Sequence, residues 1–211
     1  VDSLLRGELG GAGGADLVDC VAFLDGGGKA ASSALRKWFE KLSSDEKGDN
    51  PGVLTIVDED KGLPEESPPS VKLRCVAILN ASKDGTKRAL PSSFLSPLAA
   101  AGVPRKSVLR SVSAGGFIYL SGAFSNRPNV TDAIEAIENA LLATGESGLN
   151  LTLNCLYFGA DPASVTDYFR GFRAAFNEHA PPPPTRGEFS AVAAECRNCS
   201  SVLKCLAAIC D

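Results

Sequence analysis

Arg186, at the start of the strand pattern PTRGEF, is the best-placed cation in the sequence for chemistry. A guanidinium grips a carboxylate through two parallel hydrogen bonds, most strongly where water is partly excluded. The same residue also reads as a surface arginine at a strand start. Three other groups invite a chemical reading. Cys196, Cys199, Cys205 and Cys210 include a C-x-x-C pair, and four thiolates suit tetrahedral zinc. On an extended strand, however, Cys205 and Cys210 point to opposite faces, so no single site uses all four and no metal is assigned. His179, the only histidine, falls at a helix end just before Pro181, where a cation complements the helix dipole. Ser121 with His179 lacks a placed acidic partner, so no hydrolase dyad is assigned.

Around Arg186 the elements follow from periodicity. PTRGEFSAVAA reads as a strand, CRNCSS as a turn and VLKCLAAIC as a second, buried strand, which together predict a hairpin. Before it, Asp161-Pro162 supplies a cap and a first-turn proline, and Val165, Tyr168, Phe169, Phe172 and Phe176 recur at helical spacing. Residues 149–158 read as a strand, and 131–144 as a helix with Ile134, Ile137 and Leu141 on one side. Residues 107–125 read as two strands broken at Gly115-Gly116.

FIYLSGAF, a helix ending before a strand, YFRGFRAAFNEH, a P-x-R segment and a final apolar strand, in that order over residues 107–210, resemble the Rid/YjgF-type imine deaminase family, also called L-PSP endoribonuclease-like. The resemblance implies a chorismate-mutase-like α+β fold, with two helices on one face of a mixed sheet, and usually trimers with ligand clefts between subunits. It implies that Arg186 holds the carboxylate of a 2-imino or 2-keto acid while water attacks the C=N carbon. Ser121 and Gly122, the family's S-G pair, would line that cleft. The sequence also departs from the family. Lys204 stands where an acidic residue is usual, Phe169 where an asparagine is usual, and SVLRSV lacks the usual tyrosine. Arg186, Ser121, Gly122, Lys204 and Phe169 are therefore the expected binding set, with no residue assigned a catalytic role.

An internal echo fills the first half. LVDCVAFL (17–24) matches LTLNCLYF (151–158), with Cys20 in the place of Cys155; SSALRKWFEKL carries Leu35, Trp38, Phe39 and Leu42 on one helical face; VKLRCVAIL (71–79) matches SVLKCLAAI (201–209). This predicts tandem Rid-like modules, an incomplete one over 1–80 and a complete one over 107–211, joined by a surface connector over 81–106. In the first module Val53 is read at the arginine position and Arg74 at the acidic one. VDSLLRGEL (1–9) reads as the tail of a helix, so the module lacks its opening hairpin and leaves an open sheet edge. A preceding segment or other subunits are expected to pack against residues 1–57.

Composition bounds the rest. A 211-residue chain with net charge −4 and no Lys/Arg run interleaved with aromatics gives little support for a nucleic-acid surface. No apolar run approaches a membrane span. The glycine clusters lack phosphate-cradling motifs, so no nucleotide and no cofactor is assigned. Of seven cysteines, Cys20, Cys75 and Cys155 lie in apolar strand patterns and read as buried free thiols. Despite four N-x-S/T sequons, at Asn80, Asn129, Asn150 and Asn198, the expected compartment is therefore reducing: cytosol, plastid stroma or mitochondrial matrix. Two functions remain. In one, the protein binds small 2-imino or 2-keto carboxylates and acts as a 2-iminobutanoate/2-iminopropanoate deaminase-like hydrolase. In the other, it is a catalytically degenerate subunit, a scaffold or regulator in a larger assembly.

Overall fold

In the computed structural model, the described residues are 13–25, 28–44, 49–59, 70–81, 84–90, 109–125, 131–145, 148–159, 164–175, 185–189, 191–193, 199 and 201–209. They form an α+β protein with two mixed sheets. The first half builds β1 (Leu17–Asp25), α1 (Gly28–Ser43), β2 (Val53–Glu59) and β3 (Ser70–Ala77). β1 and β2 are parallel, joined by α1 as their crossover, and β3 returns antiparallel on the other side of β1. The second half builds β4 (Arg88–Ala89), β5 (Ser111–Ala114), β6 (Phe117–Leu120), β7 (Ala123–Ser125), α2 (Thr131–Ala143), β8 (Thr152–Gly159), α3 (Ser164–Ala175), β9 (Thr185–Phe189), β10 (Ala191–Ala193) and β11 (Ser201–Ala208). The sheet orders are β10-β2-β1-β3 and β4-β5-β6-β11-β8-β9, with β7 also on β11.

Each local choice has a visible cause. α1 turns Phe39 fully inward, with Leu35, Trp38 and Leu42 packed beside it against Leu54, Ile56 and Cys20. Its last residue, Ser43, donates its hydroxyl to the Phe39 carbonyl at 2.8 Å and accepts the Gly52 N–H at 3.0 Å, which fixes the entry to β2. β5 and β6 turn at Gly115 and Gly116, with φ of 58° and 81°, a pair of left-handed positions that a tight hairpin needs. α2 buries Ile134, Ile137 and Leu141 on the second sheet, as the periodicity predicts, and Phe172 of α3 joins them.

The two sheets then pack face to face. Val21, Phe23 and Val57 of the first meet Phe124, Phe158 and Val202 of the second, and Val18 and Val53 meet Val112 and Tyr119. Helices cover the outer faces, which gives a layered order of helix, sheet, sheet, helices. The halves share one pairing scheme. Cys20 is opposite Cys75 and beside Leu54; Cys155 is opposite Cys205 and beside Thr185, with the same strand directions. A 3-10 turn precedes β1 and another precedes β8.

Three expectations need correction. The strands containing Arg186 and Lys204 do not form a hairpin, because β9 and β11 lie on opposite sides of β8, one parallel and one antiparallel to it. The thiols of Cys20, Cys75 and Cys155 are not free. The antiparallel registers set Cys20 against Cys75 and Cys155 against Cys205 with Cα atoms 4.1 Å apart, and both pairs are disulfides; Cys199 is disulfide-bonded as well. Part of the connector is also built into the fold. Lys87 is buried, its ammonium donating to the carbonyls of Ala15 and Ser43, and β4 extends the second sheet along β5. Residues 91–106 of the connector lie outside the described residues.

The cross-strand bridges close loops of 55 and 50 residues in sequence separation. Replacing Cys155 and Cys205 by serine should lower stability by about 2–4 kcal/mol. Denaturant titration checks the magnitude, and peptide mapping without reductant checks the pairs. Recovery of Cys20, Cys75, Cys155 and Cys205 as alkylated free thiols would contradict the structure.

Candidate functional site

Lys204 sits on the face of β11 that looks toward the first sheet, between Val202 and Leu206 in the strand alternation. Only 5% exposed, its ammonium donates to Oδ1 of Asp19 on β1 at 2.5 Å and to the Leu120 carbonyl at 2.7 Å. The residue expected in a ligand cleft is thus bonded into the seam between the sheets.

Ser121 and Gly122 join β6 to β7 and are similarly engaged. The Ser121 N–H donates to the Arg110 carbonyl at 2.8 Å, and its hydroxyl oxygen accepts the Arg110 N–H at 2.9 Å. The Gly122 N–H donates to Oγ1 of Thr55, on β2 of the other half, at 2.8 Å. A Cβ at Gly122 would stand 2.5 Å from a Val202 methyl and 2.7 Å from the Thr55 methyl, so the glycine lets the two sheets approach. Arg110 adds a further link, its guanidinium bonding Glu40 of α1 at 2.5 Å.

Arg186 lies on β9 in register with Leu156 of β8, which is itself opposite Lys204. The three positions form one row across the sheet. In the first half, the residue with the same relation to the cysteine pair is Thr55, beside Val21, and not Val53 as the sequence match reads it. Arg74 does correspond to Lys204, being opposite Val21, and its guanidinium lies 4.8 Å from the centre of the Phe23 ring. Phe169 is on α3 and 43% exposed, on a different side of the helix from buried Phe172. The expected set is therefore divided: Gly122 and Lys204 bond the first half in the seam, Ser121 bonds Arg110 of its own half, Arg186 shares their sheet, and Phe169 stands on the outer helix layer. An open depression lined by Asp84, Thr86, Arg88, Ser113 and Ile209 includes none of these five residues. His179, Cys196 and Cys210 lie outside the described residues. Among the described residues no three His, Cys, Asp or Glu side chains gather as a metal site. No helix there is long and apolar enough to cross a membrane.

Sequence reasoning missed Asp19 and Thr55. The signal for Asp19 was a single acid inside an otherwise apolar strand, LVDCVAFL, which must find a partner once buried. Its carboxyl is pushed above the usual 3.8 because burial disfavours the charged form more than the Lys204 ammonium favours it. Burial, and then the negative charge of Asp19, raise the Tyr119 hydroxyl.

No protein-family model matches the sequence, and no curated protein does. Solved structures give a different result. Over about half of its length the chain is similar to YjgF/Rid-family structures. Rv2704 of Mycobacterium tuberculosis, described as a member of the YjgF/YER057c/UK114 family, matches with 18% identity over 58% of this chain and 99% of its own, at a TM-score of 0.44. NMB1025 of Neisseria meningitidis, a YjgF-family member, matches with 18% identity over 48% and 86%, at 0.42. E. coli TdcF, solved with bound serine, matches with 18% identity over 47% and 86%, at 0.40.

Two outcomes follow from the seam. Lys204→Met strands the Asp19 carboxylate and should cost about 3–5 kcal/mol, most of it recovered when Asp19→Asn is added; denaturant titration of both variants measures this. The pH dependence has a definite sign. A carboxyl raised by folding binds more protons in the folded state, so its contribution is greatest below the unfolded value of 3.8 and is lost as pH rises through the folded value. The stability of the wild type relative to Asp19→Asn should therefore fall as pH rises above the unfolded value of 3.8. A difference that rises with pH would contradict the stated direction.

Proposed function

We propose that this chain is a catalytically degenerate Rid-like protein, with modules over 1–80 and 107–211, that works as a scaffold or regulatory subunit in a larger assembly. The observation that carries the reading is the Lys204–Asp19 pair. The position at which the family resemblance calls for an acid near the attacking water holds a cation, and that cation is spent inside the protein. Thr55 replaces the arginine in the first module and is spent on Gly122. A general base must reach the proton it removes, within about 3 Å or through one water. Neither module places a carboxylate at that register.

The test is a coupled assay in which an amino-acid oxidase generates 2-iminopropanoate and semicarbazide traps it. Adding the protein should leave the semicarbazone yield unchanged, whereas strong suppression would restore the deaminase reading. A second reading, binding of a 2-keto or 2-imino carboxylate without turnover, has its own support in Arg186, which alone of the two register-matched positions keeps a guanidinium. Titrating pyruvate against the wild type and Arg186→Ala should show binding lost by at least about tenfold in the variant, as for loss of a charge-assisted pair. Equal affinity for both proteins would remove the carboxylate reading.

A further inference from the structure

β3 is the outer strand of the first sheet among the described residues, and its side chains are exposed on both faces. Val71 and Leu73 on one face are 43% and 39% exposed and Val76 on the other is 43% exposed, apolar exposure that an edge strand ordinarily avoids. The same chain supplies the comparison. By the cysteine registers, Leu73 stands to Cys75 as Leu203 stands to Cys205, yet Leu203 is 1% exposed. The difference is cover: β11 has β6 and β7 along its outer edge, and α2 packs over the Leu203 side. Nothing among the described residues does this for β3.

Charge selects the occupant. Lys72 and Arg74 lie on β3 on the face toward the second sheet, opposite Phe23 and Val21. A two-fold pairing of β3 with a second copy, centred on Lys72, Leu73 or Arg74, would set like charges opposite one another, which is unfavourable. A strand with an acid opposite Lys72 and apolar residues opposite Val71 and Leu73 matches both faces.

We infer that the outer edge of β3 is a docking site for a β-hairpin of a partner polypeptide, whose first-paired strand alternates acidic and apolar residues and adds antiparallel, as β7 does on β11. This deepens the scaffold reading, on which it rests, by naming the surface through which the assembly is made. The mode is strand addition, in which main-chain hydrogen bonds give affinity and alternate side chains give specificity.

The experiment uses the full 211-residue protein and a synthetic peptide of residues 109–125 carrying Phe124→Glu. Phe124 is opposite Val202, whose counterpart is Lys72, so the glutamate is set against that lysine. Hydrogen exchange of the free protein should show β3 amides exchanging much faster than those of β11. The acidic peptide should slow β3 exchange saturably, the Phe124→Lys peptide should bind about tenfold more weakly, and Leu73→Lys in the protein should abolish binding with an unchanged circular dichroism spectrum. β3 amides already as slow as those of β11 in the monomer, β3 protection that tracks a concentration-dependent dimer, or equal effects of the two peptides would each overturn the proposal. Imine hydrolysis together with peptide protection would sink the scaffold reading and leave the docking site. An inactive protein whose β3 ignores the peptide would do the reverse.

Discussion

A charged pair buried between two sheets holds the rest of this molecule in place. Asp19 and Lys204 come from strands far apart in sequence, and both have lost most of their water. Their mutual attraction is offset by desolvation, and burial raises the Asp19 carboxyl despite the adjacent ammonium. The pair therefore fixes which faces meet more than it adds net stability. An alternative packing of the sheets would leave two unpaired charges in an apolar seam, at several kcal/mol each. Around it the seam is apolar and closely packed: Phe23 and Phe158 meet edge to face with centroids 6.0 Å apart, and Gly122 admits Thr55 and Val202.

The seam also engages members of the expected binding set inside the protein. Gly122 and Lys204 bond the first half directly, through Thr55 and Asp19, whereas Ser121 bonds Arg110 of its own half. The expected reducing compartment was inferred from free thiols, and the paired cysteines remove that support.

Much of the local structure was legible in the sequence. The helical faces of α1 and α2, the Gly115-Gly116 turn and the strand patterns at Cys20, Cys75, Cys155 and Cys205 all follow from side-chain period and turn chemistry, which are local properties. Strand neighbours are not local. Two adjacent strand patterns after α3 suggested a hairpin, whereas the parallel crossover from β8 to β9 leaves the other side of β8 for β11. The same non-local pairing hid the disulfides and shifted the arginine counterpart from Val53 to Thr55, two residues along the same strand face. Lys204 stands out in the sequence as a departure from the family pattern, but its partner lies in the other half, and no local pattern connects position 19 to position 204.

The direct test of this account is the nitrogen-15 spectrum of the Lys204 ammonium near neutral pH. A lysine buried and held by a carboxylate and a carbonyl should give a resolved Nζ–H correlation, protected from solvent exchange and lost from its position in Asp19→Asn. An ammonium in fast exchange with water, unchanged by Asp19→Asn, would mean that Lys204 faces an open cleft and that the two sheets do not close on each other as described.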